Sequence, residues 1–363
     1  MNRRRDFLKR SALGATAGAA TIAAPGVVHA QPTLNWRMPS SFPKSLETLF
    51  GAAELVCKRV GEMSNGKFNI RPFAGGEIVP ALQVLDAVQN GTVEVGHTAP
   101  YYYIGKDPTW AFGTIVPFGM NARQFNSWWY QGGGEAVYNE FSQSNGIVCM
   151  PAGNTGAQMG GFFRKEITSV KDLEGLKFRI AGLGGQVMAR LGAVPQQIPG
   201  ADIYPALEKG TIDAAEWVGP HDDEKLGLGK VAKYYYYPGF WEGSAALHCI
   251  VNKKAWESLP KEYQTMLETA SDAVNSITLA RYDGLNGAAV RRMVAQGVQL
   301  RAFPRDVMEA GYKASQEMYA EFSAKSPQFK KVADNYFQYR NELIPWFRVT
   351  ENTFDDFMAT VKK

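Results

Sequence analysis

Arg179 is the residue whose type and position speak most directly to chemistry. It ends the strand-like run from Leu176 to Ile180 and stands just before Ala181-Gly182 and a glycine-rich turn. A planar guanidinium there can make two parallel hydrogen bonds to a carboxylate, which selects organic acids over neutral sugars. The same position suits a structural or surface arginine equally well. A second cluster, His221-Asp222-Asp223-Glu224, has the residue types of a metal or acid–base site. Adjacent residues cannot all point at one centre, so the cluster reads as a helix N-terminus whose acidic first turn favours the helix dipole. Gly182-x-Gly184-Gly185 falls short of the dinucleotide fingerprint, and no phosphate-binding loop, nucleophile elbow or H-E-x-x-H pattern occurs. No Cys/His cluster has zinc-ligand spacing. The chain reads as a binding protein and not as an enzyme.

The ends of the chain place it. Arg3, Arg4 and Arg5 precede Asp6-Phe7-Leu8-Lys9, a twin-arginine export pattern, and a mild apolar stretch from Ala12 leads to Val28-His29-Ala30. Residues 1–30 therefore read as a signal peptide cleaved after Ala30, and the mature protein as periplasmic. Those residues carry five of the 39 basic side chains and one of the 35 acidic ones, so the mature chain is formally neutral. The basic excess belongs to the leader, and no nucleic-acid partner is implied. Cys57, Cys149 and Cys249 lie scattered in apolar segments and read as buried and reduced. A mature length of about 330 residues exceeds what one core usually holds, which predicts two domains.

From Leu34 onward strand-like and helix-like segments alternate. Leu34 to Met38 is a strand, the stripe Leu46, Leu49, Ala53, Val56 and Val60 a helix stopped by Asn65-Gly66, and Lys67 to Phe73 a strand. This βαβ order predicts parallel strands. Leu85 to Glu94 echoes Tyr204 to Asp213, each a helix, a glycine cap and a short strand. Two such units predict two lobes whose following loops, His97 to Tyr103 and Glu216 to Asp223, face one cleft. A long run from Tyr263 to about Gln296, with Leu267, Ala270, Ala273, Ile277 and Ala280 in register, predicts a helical spine. The tail from Val307 is helical again, with breaks near Pro327 and Pro345.

The segments Ser169-Val170-Lys171-Asp172-Leu173-Glu174-Gly175-Leu176-Lys177-Phe178-Arg179, Leu191 to Pro195 and Ile203 to Glu216 together resemble solute-binding proteins of tripartite ATP-independent periplasmic (TRAP) transporters. Glu216 to Pro220, with Trp241-Glu242-Gly243, is similar to the branch that binds 2-oxo and 2-hydroxy monocarboxylates with a metal ion. The resemblance implies an α/β, two-lobed periplasmic binding protein fold, type II-like, with a long inter-lobe helix and a C-terminal helical tail. On it, residues 31–155 plus 244–285 form lobe I and 156–243 plus 286–328 lobe II. The tail 329–363 either pairs two copies or folds back on its own lobe.

By the same resemblance Arg179 binds the substrate carboxylate, and Gln158, Glu216, Glu242 and the Trp217 carbonyl hold one cation. Such hard oxygens suit Na⁺ or Ca²⁺. Asn154 and Tyr101 are candidates for further hydrogen bonds to the acid, and Trp217, Phe178 and Trp241 for its apolar wall. The implied partners are a small organic carboxylate and the membrane permease subunits. Two alternatives stay open: a longer, aromatic or sugar acid or a polyol in the same fold, and a metal-dependent enzyme with Glu216 or Glu242 as base.

Overall fold

Leu34–Pro39 (β1) turns Trp36 and Met38 inward and pairs in parallel with Phe68–Phe73 (β2) in the computed structural model, which describes residues 32–361. Between them the helix Leu49–Met63 buries Leu49, Ala53, Val56 and Val60, the stripe its sequence predicts. It stops at Asn65 and Gly66, whose φ values of 51° and 74° are left-handed, a region asparagine and glycine tolerate best. A bridge from Ser40 to His97 joins this pair to Val95–Thr98 (β3), and Ile147–Asn154 (β4) belongs to the same sheet system. The chain then crosses to lay down Gly161–Phe163 (β5), Lys177–Arg179 (β6), Val194–Gln196 (β7), Ala214–Ala215 (β8) and Tyr234–Tyr237 (β9). It returns as Ala246–Asn252 (β10), between β3 and β4. A last crossing along the helix Lys261–Ala295 adds Gln299–Ala302 (β11), giving a second sheet ordered β11-β9-β5-β8-β6-β7.

The strands are not all parallel, contrary to the βαβ expectation. β1 and β2 are parallel, as are β6, β7 and β8, but β10 runs antiparallel to β3 and β4, and β5 to β8 and β9. The cause is the route: β10 comes back from the second sheet without a helical crossover on its own sheet, so it enters against its neighbours. From Thr33 on the chain packs as one unit. One core cluster draws Phe42 and Leu49 from the first system together with Phe178 and Trp217 from the second. The leader and its cleavage point after Ala30 lie outside the described residues. Among those described, no helix is long and apolar enough to cross a membrane.

The spine is a helix of 35 residues, about 50 Å at 1.5 Å per residue. Its inward face differs from the expected one. Tyr263, Leu267, Ala270, Val274, Thr278 and Tyr282 are buried, whereas Ile277 is 39% exposed. The polar Ser271, Asn275 and Thr278 belong to the buried face and conceal it from a count of apolar residues alone. Asn275 is held by the side chain of Asn126 at 3.0 Å. Cys57, Cys149 and Cys249 are buried and unpaired, as read from their surroundings.

The tail begins with the helix Arg305–Lys325, and Pro327 opens the next one, where Ser326 caps the Phe329 amide at 3.1 Å. Pro345 does not break that helix, which runs through it to Phe347. The wider turns at Arg348–Asn352 follow immediately, consistent with a proline that removes one backbone donor near a helix end. The helix Arg305–Lys325 lies against the second sheet system, where Arg190 donates to Glu321 at 2.6 Å and the Val170 amide to Asp306 at 3.0 Å, whereas Pro327–Phe347 lies on the first: Trp128 Nε1 donates to Asn335 at 2.7 Å, and the Met120 amide to the Tyr336 hydroxyl at 2.9 Å.

Candidate functional site

Arg179 is buried, with 1% of its side chain exposed, so the surface-arginine alternative is closed. The parallel register of β6 and β8 sets Arg179 opposite Ala215, and the Glu216 amide donates back to the Arg179 carbonyl at 2.9 Å. This places Glu216 directly against the guanidinium. Nη1 donates to the Glu216 carbonyl and, at 3.1 Å, to its Oε2; Nε donates to the Ile198 carbonyl at 3.1 Å. The guanidinium carbon also lies 4.8 Å from the centre of the Trp217 ring, a cation–π contact. Gln158 and Glu242 are held side by side by backbone bonds, since the Gln158 amide donates to the Glu242 carbonyl at 3.2 Å and the Gly239 amide to the Gln158 carbonyl at 3.1 Å.

Tyr101 follows β3 in the turn Pro100–Tyr103 and meets the second sheet system at Gly182. A Cβ on Gly182, which has φ +61°, would sit 2.4 Å from the Tyr101 ring. The glycines after Arg179 therefore serve close approach, and where the sequence reads as a glycine-rich turn the helix already starts at Gly182. Asn154 ends β4, where its Oδ1 accepts from the Gly156 amide at 2.9 Å.

Several buried polar atoms in this cluster have no hydrogen-bond partner among the described residues: Gln158 Oε1, Glu216 Oε1, both carboxylate oxygens of Glu242, Asn154 Nδ2 and the indole N–H of Trp217. Burial pushes the carboxyls of Glu216 and Glu242 up; the Glu242 charge adds to the rise at Glu216 and Arg179 opposes it, while at Glu242 the nearby Tyr101 hydroxyl and then Arg179 oppose it. Burial, and next the Glu242 carboxylate, push the Tyr101 hydroxyl up as well. Orphaned buried oxygens are costly, and oxygens of this kind suit a hard cation. Among the described residues no three His, Cys, Asp or Glu gather around a metal position; this set would combine two carboxylates with an amide and a backbone oxygen.

Beside these groups lies a small cavity whose apolar walls include Phe42, Leu49, Val218 and Leu247, together with Tyr101 and Trp217. Phe178 and Trp241, expected on that wall, instead pack with each other at 5.8 Å in the second sheet's core, where Phe178 also meets Phe163 and Trp241 meets Phe303. Phe42 and Leu247 carry no local motif that marks them.

His221 to Glu224 do form a helix start, within Pro220–Leu226. Asp222 and Asp223 are nevertheless buried, each accepting from a tyrosine at 2.6 Å, Tyr282 and Tyr235 respectively. Tyr235, a core residue of β9, thus also has a polar task. Burial pushes both aspartates up to about 7, against the pull of those hydroxyls. A carboxyl raised on folding binds its proton more tightly folded than unfolded, so stability is greatest at low pH and falls as pH rises from about 4 to about 7. Urea unfolding of ligand-free protein at pH 5 and 7.5 is expected to show that fall, and Asp222→Asn to flatten it. A wild-type profile rising over that interval would contradict the assignment.

Comparison with known proteins completes the site's setting. Residues 40–326 match the family described as bacterial extracellular solute-binding protein, family 7. A monocarboxylate 2-oxoacid-binding periplasmic protein of Nostoc sp. is 51% identical over 363 residues, 99% of either chain. A TRAP transporter solute-binding protein from Bordetella bronchiseptica, a mixed-occupancy dimer with copurified calcium and picolinate in one active site and the other apo, is 52% identical. Its TM-score is 0.89, over 90% of this chain and 97% of that one. A TRAP solute-binding protein from Pseudoalteromonas atlantica with bound sodium and pyruvate is 38% identical, with TM-score 0.87 over 91% and 100%. The chain belongs to family 7 of the bacterial extracellular solute-binding proteins, the binding subunits of TRAP transporters.

Proposed function

We propose that this subunit captures a short 2-oxo or 2-hydroxy monocarboxylate together with one cation, Na⁺ or Ca²⁺, and hands it to the membrane permease without chemical change. The observation that carries the reading is the set of orphaned oxygens on Gln158, Glu216 and Glu242 beside the Arg179 guanidinium. Arg179 would hold the acid's carboxylate. Asn154 Nδ2 and the Tyr101 hydroxyl would donate to the carboxylate or the 2-oxygen, and Trp217 would cover the short tail. The cation, bound by Gln158, Glu216, Glu242 and the Trp217 carbonyl, would neutralise charge and bridge protein to acid. Because Arg179, Glu216 and Glu242 are each no more than 2% exposed, loading requires lobe I (31–155 plus 244–285) and lobe II (156–243 plus 286–328) to part. Calorimetry with pyruvate and lactate, with product analysis after long incubation, tests this: binding without turnover is expected, and turnover would favour an enzyme. The picolinate of the Bordetella relative favours an aromatic acid as second reading, which a thermal-shift series of acids of increasing size separates.

Export by the twin-arginine leader, with cleavage after Ala30, would deliver the folded subunit to the periplasm. The end of the tail supports pairing of two copies: Trp346, Val349, Phe354, Phe357 and Met358 are all more than half exposed, a run of apolar surface that monomers rarely present. The double substitution Phe354→Asp, Phe357→Asp is expected to convert a dimer to monomer by light scattering. A wild-type protein that is monomeric at all concentrations would remove the dimer.

A further inference from the structure

Outside the ligand set, one charged cluster joins the two sheet systems. Glu47 lies in the loop between β1 and the helix Leu49–Met63. Its Oε1 accepts from His221 Nε2 at 3.1 Å and its Oε2 from Lys225 Nζ. Both donors sit on the helix Pro220–Leu226 of the second system, so these contacts of the Glu47 carboxylate lead away from its own sheet. Arg281 Nη1, on the spine, donates to the Glu47 carbonyl at 3.2 Å. The donor helix is itself fixed to the spine, through the His221 amide to Asn286 at 3.0 Å and the fork from Arg292 to Glu224 at 2.9 and 2.5 Å.

The position of the cluster gives it leverage over the cavity. The loop carrying Glu47 runs from Phe42 to Leu49, and the donor helix begins just downstream of Trp217 and Val218; all four of those residues line the cavity. Glu47 and Lys225 keep 39% and 33% of their side chains exposed, and His221 only 9%. The cluster is thus a rim between solvent and the sealed groups inside. On the other flank the link is a neutral one, Gln197 Nε2 to the Tyr102 carbonyl at 2.9 Å. A neutral hydrogen bond is lost within about an ångström of separation, whereas attraction between charges falls only inversely with distance. The Glu47 side of the rim therefore resists the first part of opening more strongly.

We infer that Glu47 is a positioning residue which, through His221 and Lys225, latches the closed form and so sets how long a captured acid is retained. The inference rests on the proposed reading of the cavity as the acid site. An acid meets the open form, in which the latch is not made, and can leave only after the latch breaks. Glu47→Gln is therefore expected to speed release of pyruvate about two- to fivefold, the effect of losing a partly exposed ion pair, with association no slower, since more of the ligand-free protein stands open. Lys225→Met should act in the same direction, and the double variant should release no faster than the stronger single one, because both remove one interaction.

Stopped-flow measurement of association and release with pyruvate and CaCl₂ reads these rates. A latch-independent loss of fold would instead lower the ligand-free unfolding midpoint, which is expected to stay unchanged. Release as slow as wild type in both single variants, or additive effects in the double, would overturn the latch. Spin labels on Ile78→Cys and Ala201→Cys, exposed residues on the two sides of the cleft, give a second readout that needs no ligand. Glu47→Gln is expected to lengthen their mean separation in the ligand-free protein. A wild-type protein that binds no acid would sink the proposed function alone; unchanged label distances would then sink the latch.

Discussion

Arg179→Ala is expected to weaken acid binding by roughly 2–5 kcal/mol, the range for removing one partner of a buried charge pair. The loss is large because, among the described residues, no other buried cation stands beside Glu216, and the acid would enter a pocket already lined by two carboxylates. Arg179 also supports the fold, since Nη1 and Nε satisfy the carbonyls of Glu216 and Ile198. The alanine variant alone therefore mixes two effects. Arg179→Lys separates them: an ammonium keeps the positive charge beside Glu216 but cannot reach both carbonyls and a carboxylate from one fixed fork. It is expected to recover most of the unfolding midpoint and little of the affinity. Calorimetry showing wild-type affinity in either variant would remove Arg179 from the acid site.

What could be read in the sequence were the features with local causes. Asn65-Gly66 stops a helix because left-handed backbone is cheap there, and Pro327 opens one because it needs no amide partner. Arg179 and Glu216 lie far apart in sequence, yet the motifs around them set each at the end of a short strand, and parallel pairing then makes them neighbours. Contacts with distant causes stayed hidden. Asp222 and Asp223 look like a solvated first turn, and only the fold brings Tyr282, 60 residues on, and Tyr235, 12 residues on, against them. The same holds for Glu47, whose His221 partner is 174 residues away. The antiparallel β10 was invisible because strand direction follows the route of the chain across two sheets, which apolar periodicity does not encode. The glycines after Arg179 read as a turn for a related reason, yet Gly182 and Gly184 lie in a helix and are needed where Tyr101 and Trp241 press on it.

Removal of the cation is expected to reduce acid affinity by at least about 100-fold, the scale of leaving a buried charge uncompensated. Glu216 and Glu242 against Arg179 leave one net negative charge in the sealed cluster when both are ionised, and a monocarboxylate adds a second. Divalent Ca²⁺ brings that sum to zero, whereas Na⁺ leaves one negative charge. Protein dialysed against a chelator and then into a choline buffer should thus bind pyruvate poorly, regain affinity with NaCl, and regain more with CaCl₂. Glu242→Gln removes one negative charge while keeping an oxygen donor. In that variant Na⁺ gives the neutral sum, so the advantage of Ca²⁺ over Na⁺ should shrink or reverse. Calorimetry at fixed ionic strength measures both. Full affinity in choline buffer would show that Arg179 and the neutral donors hold the acid unaided. An unchanged cation preference in Glu242→Gln would place Glu242 outside the shell and leave its two orphaned oxygens to another partner.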